Sequence, residues 1–192
     1  RELVREAYTH HTEAYKAAIA QFKSGRVSAQ RAADPGAVTV IVPNLNGTRS
    51  LLEDAALGLR HSFHRPAKVI LVDDGSTPEG LRVLEESAAT FGDIPTEVVR
   101  NPHNLGLAGA RNVGLERTET PYLCPHDNDN IVLNRYLQIA CRILDENPEV
   151  AAVTTWSWIF EDGRPWQAAD RAPGYRPIGA DLGLALRVNM LG

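Results

Sequence analysis

The sequence predicts an α/β fold, in which a mostly parallel sheet is flanked by helices, with an N-terminal helix and a hairpin near the C-terminal end. Short β-branched apolar runs, at residues 38–42 (VTVIV) and 68–72 (KVILV), have the composition of buried strands. Segments with helical periodicity alternate with such runs, and the connections between them are short. This alternation favours right-handed βαβ units and hence a doubly wound parallel sheet.

Each element follows from a local pattern. Residues 1–24 carry apolar side chains at helical spacing and predict an amphipathic helix, followed by a linker at 28–36. Pro43 closes the first strand, and Pro78 opens a helix at the position that proline favours. Further strands are predicted at 68–72, 97–99, 122–124, 150–155 and 157–160, helices at 51–59, 78–91, 107–117 and 133–144, and a hairpin turn at Asp162-Gly163.

Composition places the chain among ordinary globular domains. Its 192 residues are 43% hydrophobic and 23% charged, which suits one domain with a sizeable core. A formal net charge of −4 excludes a general nucleic-acid binder, which shows a basic face. Cys124 and Cys141 lie in apolar patterns that predict buried thiols in a reducing compartment. No apolar run is long enough to span a bilayer, so we expect a cytoplasmic protein, with peripheral attachment at the inner membrane face left open.

Polar clusters follow three of the predicted strands, at residues 43–46, 73–76 and 127–130. The carboxyl ends of parallel strands share one edge of a sheet, so these clusters are predicted to converge on one crevice. Asp127 and Asp129 are spaced so that at least one carboxylate can meet a hard divalent cation such as Mg²⁺ or Mn²⁺. The alternative is that these residues only cap the following helix. The convergence of three clusters favours a binding site.

Four short motifs, in this order, resemble the family 2 glycosyltransferases of the GT-A fold. They are VTVIVPNLN (38–46), VDDGS (72–76), NLGLAGARN (104–112) with Gly114, and the D-x-D triplet at 127–129. The resemblance implies transfer of a sugar from a nucleotide diphosphate to an acceptor, with inversion and with Mg²⁺ or Mn²⁺. On this basis we expect residues 1–36 to be an N-terminal helix and linker. Residues 37–192 are expected to be a nucleotide-sugar-binding domain, truncated at its C-terminal end.

The resemblance assigns the first two motifs to the nucleoside. The loop that flanks the nucleobase consists of Pro43, Asn44, Leu45 and Asn46. Leu45 stands where an aromatic residue is common in the family, so base stacking is expected to be weaker or supplied elsewhere. Asp73 and Asp74 match the acidic pair at the nucleoside, and Asp74 is the expected base contact. A carboxylate accepts from an N–H of uracil or of guanine, which leaves the base open.

The resemblance assigns the last two motifs to the phosphates, the metal and the donor sugar. Gly106, Arg111 and Asn112 belong to the segment that approaches the nucleotide or its phosphates. A surface salt bridge is the alternative role for Arg111. Asp127 matches the position nearer the ribose or donor sugar, and Asn128 is expected among the nucleotide contacts. Asp129 is the expected metal ligand, with Asp127 as a second one.

The general base that an inverting transfer requires is not identified by any motif. The resemblance places this Asp or Glu well downstream of the D-x-D triplet. Asp170 and Asp181 are candidates by position alone, so we expect the base to lie beyond Gly192.

Two other functions stay open at this point. Residues 46–49 (NGTR) superficially resemble the Gly-Thr-Arg loop of sugar-phosphate nucleotidyltransferases, but that loop should directly follow the first strand and carry several glycines. A non-catalytic nucleotide-sugar or glycan-binding module is the second alternative. The partners we expect are a UDP-sugar as the favoured donor, a carbohydrate, lipid-linked or small-molecule acceptor, no nucleic acid, and a second copy of the chain through the N-terminal helix.

Overall fold

The computed structural model describes residues 37–155, 157–158 and 174–175. Within it, residues 37–149 form one compact unit, and the described residues from 150 onward belong to a second. The predicted N-terminal helix and linker, the turn at Asp162-Gly163, and the candidate bases Asp170 and Asp181 lie outside the described residues. Among the described residues, no helix is long and apolar enough to cross a bilayer.

The first unit contains a four-stranded parallel sheet with the order β3-β2-β1-β4. Strands and helices alternate along the chain as the sequence predicts, and the parallel α/β fold is confirmed. The elements are β1 (Val38–Asn44), α1 (Arg49–Arg60), β2 (Lys68–Asp73), α2 (Pro78–Ala88), β3 (Thr96–Arg100), α3 (Gly106–Leu115), β4 (Tyr122–Pro125) and α4 (Tyr136–Glu146), with a short 3₁₀ turn at Ala89–Phe91.

The two faces of the sheet are covered by different helices. Alternate residues of a strand point to opposite faces, so each buried strand supplies both cores. Residues 38, 40 and 42 of β1 belong to the larger core with α1, α2 and α4. Ile41, between them in sequence, belongs to the smaller core with Ala110 of α3. A Cβ on Gly114 of α3 would lie 2.4 Å from Ile41 Cγ2, so this helix packs closely on β1.

The strands β1 and β4 separate before the end of β1. Their pairing ends at Ile41 opposite Pro125, where the His126 N–H donates to the Ile41 carbonyl at 2.9 Å. β1 continues beside β2 as far as Asn44. Proline has no N–H to donate to a ladder, and Pro43 and Pro125 lie where this ladder ends. A gap therefore opens between the ends of β1 and β4, the point at which the strand order reverses.

Two sequence predictions in the second unit need correction. Residues 150–155 were predicted to be a strand, but they form no regular secondary structure. β-propensity mainly reflects how well side chains pack on a sheet, and Ala151, Ala152 and Thr154 are exposed. β5 (Ser157–Trp158) pairs antiparallel with β6 (Gly174–Tyr175) in a separate two-stranded sheet, whereas the sequence predicted an antiparallel extension of the main sheet.

Candidate functional site

A cleft of about 330 Å³ lies at the gap between β1 and β4. The polar clusters that follow β1, β2 and β4 each contribute to it, together with the start of α3. Ligands of open α/β sheets bind in this position, outside the carboxyl ends of the strands where the order reverses. The lining residues are Pro43, Asn44, Leu45, Asp74, Asn104, Gly106, Leu107, Ala110, Asp127, Asn128 and Asp129.

The loop after β1 is held by the start of α2. Asn46 has a positive φ of 52°, and its N–H donates to Ser76 Oγ at 2.9 Å. Its side-chain oxygen accepts from the N–H and the hydroxyl of Thr77, the residue that caps α2. Asn46 does not line the cleft, but its bonds hold Leu45, which does.

The two carboxylates after β2 have different surroundings. Asp73 is fully buried, and its Oδ1 accepts from the Ser76 N–H at 3.2 Å, so it orders the turn and does not line the cleft. Asp74 does line the cleft. Its Oδ1 accepts from Asn101 Nδ2 and from the Leu105 N–H, both at 2.9 Å. These two donors hold the Asp74 carboxylate while engaging only one of its oxygens.

The N-terminus of α3 faces the cleft through Gly106 and Leu107. Gly106 has a φ of 76°, a conformation that glycine adopts without strain, and a Cβ on it would meet no atom within 4 Å. The helix therefore begins with an open backbone surface beside the cleft. Because the N-terminal end of a helix carries partial positive charge, this end favours an anionic ligand.

Arg111 connects α3 to the D-x-D loop. Its Nη2 lies 2.6 Å from Asp127 Oδ1, and both side chains are about one third exposed, at 35% and 39%. The Arg111 Nε is buried and has no hydrogen-bond partner in the described part of the chain. The salt bridge considered as the alternative for Arg111 thus exists. Arg111 itself does not line the cleft, but its partner Asp127 does. Asn112, one residue further along α3, is exposed and outside the cleft lining.

Among the three carboxylates that line the cleft, Asp129 has the fewest hydrogen-bonding partners. It is exposed, lines the cleft, and makes no hydrogen bond or ion pair with the described residues. In the described part of the chain, no group of three or more His, Cys, Asp or Glu side chains is placed to hold a metal. Asp127 and Asp129 nevertheless fit a divalent cation of the Mg²⁺ type, which binds through one or two carboxylates plus substrate phosphates.

Asn128, between the two aspartates, reaches back to β1. Its Nδ2 donates to Asn44 Oδ1 at 2.7 Å, so a side-chain amide pair crosses the gap between β1 and β4. The Asn130 N–H donates to the Asp127 carbonyl at 3.1 Å and closes the turn around Asn128. The D-x-D triplet is therefore part of a hydrogen-bonded turn tied to the central strand.

His126 lies beneath this turn and is 5% exposed. Burial lowers the pKa of His126, and the neighbouring Asp127 and Asp129 carboxylates and the Asn130 backbone partly oppose that effect. The imidazole is therefore a neutral packing group at neutral pH.

Four residues of the site were not singled out from the sequence. Asn104, Leu107 and Ala110 line the cleft, and Asn101 holds Asp74 from the end of β3 while it is 3% exposed. The sequence could have indicated Asn101 by its position, because it directly follows β3 and so lies at the same edge of the sheet as the other polar clusters. Asn104, Leu107 and Ala110 fell within the 104–112 motif without individual roles.

The structure defines a class of protein, an open parallel α/β domain with an acidic cleft at its switch point. More specifically, the chain belongs to glycosyl transferase family 2, which matches residues 39–189. An uncharacterised glycosyltransferase of Haemophilus influenzae is 26% identical over 110 residues, 57% of this chain and 43% of that protein. TuaG of Bacillus subtilis, provisionally named a teichuronic acid biosynthesis glycosyltransferase, is 29% identical over 136 residues, 71% of this chain and 53% of its own length. The chain spans about half the length, or less, of these curated relatives.

Solved glycosyltransferases share the fold. The mannosyltransferase PcManGT from Pyrobaculum calidifontis, in complex with GDP-Man and Mn²⁺, has a TM-score of 0.51 at 23% identity, covering 73% of this chain and 44% of that one. TarS 1–349 from S. aureus, in complex with UDP-GlcNAc, also has a TM-score of 0.51 at 23% identity, covering 67% and 36%. At this identity the likeness establishes the fold, which is GT-A.

Proposed function

We propose that this domain binds the nucleotide-diphosphate sugar donor of a glycosyl transfer, and that the whole protein passes the sugar to an acceptor hydroxyl with inversion. The observation that carries the proposal is the composition of the cleft. A hydrogen-bonding carboxylate (Asp74), a helix N-terminus (Gly106) and the D-x-D carboxylates line one space at the switch point. Membership of the family supports the reaction class.

We assign the nucleobase to the end of the cleft that contains Leu45 and Asp74. Asp74 uses Oδ1 for Asn101 and Leu105, which leaves Oδ2 for an N–H of the base. Leu45 and Leu107 are 47% and 52% exposed and line the cleft, so they offer apolar surface to a base. A UDP-sugar is the donor we favour. The neighbours PcManGT and TarS were solved with GDP-Man and UDP-GlcNAc, so either base is compatible with the fold.

We assign the diphosphate to the space between α3 and the D-x-D turn. Arg111 and the start of α3 supply positive charge on one side, and Asp127 and Asp129 supply carboxylates on the other. A divalent cation, Mn²⁺ or Mg²⁺, would be held by Asp129 with Asp127 as a second ligand. The chemistry it supplies when bound is the offset of negative charge on the departing nucleotide. Asn112 is exposed and lies outside the cleft lining.

The family resemblance and the sequence pattern lead to four further proposals. They are a carbohydrate, lipid-linked or small-molecule acceptor, a general base downstream of the D-x-D triplet, a cytoplasmic location that includes the inner membrane face, and a homodimer through the N-terminal helix. No observation favours the nucleotidyltransferase alternative. Thr48 precedes α1 as its N-cap, and Arg49 pairs with Glu86 of α2, so this arginine is engaged away from the cleft.

The test is isothermal titration of this chain with UDP, GDP and dTDP, each with and without Mn²⁺. We expect UDP to bind more tightly than GDP or dTDP. Removal of Mn²⁺ should weaken UDP binding by at least about tenfold, since the metal joins the diphosphate to the carboxylates. Adenosine diphosphate serves as the base control. A folded sample that binds none of these nucleotides would contradict the proposal.

A further inference from the structure

We propose that Asn44 and Asn128 form a positioning pair that sets the D-x-D turn for metal-assisted nucleotide binding. The pair crosses the gap between β1 and β4 with Asn128 Nδ2 2.7 Å from Asn44 Oδ1. Because Asn128 is the middle residue of the triplet, this bond acts on Asp127 and Asp129 together. The inference rests on the proposed function, since it concerns how that site is held.

The backbones of the two asparagines are held to different degrees. Asn44 is the last residue of the central strand, is 2% exposed, and its carbonyl accepts from the Asp74 N–H at 2.8 Å. The D-x-D turn follows a strand that, among the described residues, is paired on one side only, and its backbone is closed by the bond from the Asn130 N–H to the Asp127 carbonyl. The Asn44 amide is therefore the fixed point, and Asn128 is the side chain through which the turn is attached.

Gly47, in the loop after β1, lies very close to the amide pair. A Cβ on Gly47 would lie 2.2 Å from Asn44 Oδ1 and 2.5 Å from Asn128 Nδ2, the two atoms that form the bond. An added Cβ at those distances must displace one or both amides, and displacement of either one alone lengthens the bond. The loop after β1 thus approaches the pair as closely as a glycine permits.

The pair contributes little to the stability of the fold. Asn44 Nδ2 is buried and has no hydrogen-bond partner in the described part of the chain. A buried donor without an acceptor costs free energy, which offsets the gain from the single bond that the pair makes. The pair therefore adds little stability, yet it joins the D-x-D turn to the sheet. This combination indicates a positioning role.

Two measurements test this on the full chain, with the variants Asn44→Ala, Asn128→Ala, their combination and Gly47→Ala. Asn147→Ala is the matched control, because Asn147 Nδ2 also donates at 2.7 Å, but to the Ile143 carbonyl at the end of α4. Asn128 is partly exposed on a loop and Gly47 is outside the core, so these two variants are expected to fold even if Asn44→Ala does not.

The first measurement is amide hydrogen exchange at Asn130 without any ligand. We expect exchange about tenfold faster in both single variants and in Gly47→Ala, no further increase in the double variant, and no change in Asn147→Ala. Unchanged exchange in Asn128→Ala and Gly47→Ala, or additive effects of the two asparagine substitutions, overturns the proposal. This result does not depend on whether the protein binds nucleotide.

The second measurement is titration with UDP, with and without Mn²⁺. We expect the factor by which Mn²⁺ improves affinity to fall about tenfold in Asn128→Ala and in Gly47→Ala. In Gly47→Ala, which replaces no proposed nucleotide contact, affinity in the absence of metal should change less than twofold. Equal losses with and without Mn²⁺ in Gly47→Ala overturn the proposal, because they mean that the substitution disturbs nucleotide binding itself and not the metal site. If the wild-type chain shows no effect of Mn²⁺, the proposed metal role fails, and the exchange measurement alone decides whether the pair holds the turn.

Discussion

Arg111 of α3 donates from Nη2 to Asp127 Oδ1 at 2.6 Å, and this ion pair joins the helix that starts at the cleft to the turn that carries the D-x-D carboxylates. Two elements separated by a strand thus meet through opposite charges at the site. The arrangement places a cation next to the space assigned to the diphosphate, and it holds Asp127 without using its second oxygen.

Arg111→Ala is expected to weaken UDP binding by about tenfold or more, because a charge-assisted contact to phosphate is lost and Asp127 is left without its partner. Titration calorimetry with UDP and with uridine separates the phosphate effect, since uridine affinity should change little. Arg82→Ala is the control, because Arg82 pairs with Glu79 and Glu86 on the surface of α2. Unchanged affinity for UDP in Arg111→Ala would show that the ion pair is only structural.

Asp129→Asn is expected to remove the effect of Mn²⁺ on UDP affinity while leaving the affinity measured without metal close to that of the wild type. The substitution keeps the size of the side chain and removes the charge, and Mn²⁺ prefers carboxylate ligands. Asp93→Asn is the matched control, since Asp93 is exposed and pairs with Arg65. UDP titrations with and without Mn²⁺ measure the effect. If Mn²⁺ improves UDP affinity in Asp129→Asn as much as in the wild type, Asp129 is not a metal ligand and has only a structural role in the turn.

Gly114→Ala is expected to lower the free energy of unfolding by about 1–2 kcal/mol, because the added Cβ lies 2.4 Å from Ile41 Cγ2 and forces α3 away from β1. This cost exceeds the gain of about 1 kcal/mol by which alanine is the better helix former. Urea unfolding measures the change, and Ala108→Ser, on the exposed side of the same helix, provides the control. A midpoint equal to that of the wild type would contradict the close packing.

The buried thiol of Cys124 is expected to make the fold less stable at alkaline pH. Burial raises the pKa of Cys124 to about 11, whereas an exposed thiol in the unfolded chain titrates near about 8.5. As the pH rises between these values, the unfolded state loses a proton that the folded state keeps, so stability falls.

Urea unfolding at pH 7.5 and pH 10 measures this effect, and Cys124→Ala should show a smaller decrease between the two pH values than the wild type. Leu59→Ala is the control, because it removes buried apolar surface without a titrating group and should lower stability equally at both pH values. A decrease of the same size in Cys124→Ala and the wild type would refute the assignment to this thiol.

Much of the fold was predictable because β1 and β2 are buried along nearly their whole length and therefore consist of nearly continuous apolar runs. β1 and β2 were predicted within two residues of their observed ends, and α3 began one residue from its predicted start. The strand predicted at 150–155 was wrong, because a short β-branched run forms a strand only when a partner and a packing surface are present.

Position along the chain also predicted that residues 43–46, 73–76 and 127–130 would converge, since parallel strands end on one edge of the sheet. It did not predict how the members of each cluster divide their tasks. Asp73 is buried in a turn and Asp74 lines the cleft, although they are adjacent, because successive residues at the end of a strand point to opposite sides.

The sequence by itself determined the order of strands and helices, the positions of the acidic clusters and the family resemblance, because these depend on local composition and spacing. Only the tertiary structure decided which side chains meet. The bonds between Arg111 and Asp127 and between Asn44 and Asn128 join residues 16 and 84 positions apart in the chain. Such contacts depend on how closely helices pack on the sheet and where two strands separate, and these are properties of the folded arrangement that no local pattern contains.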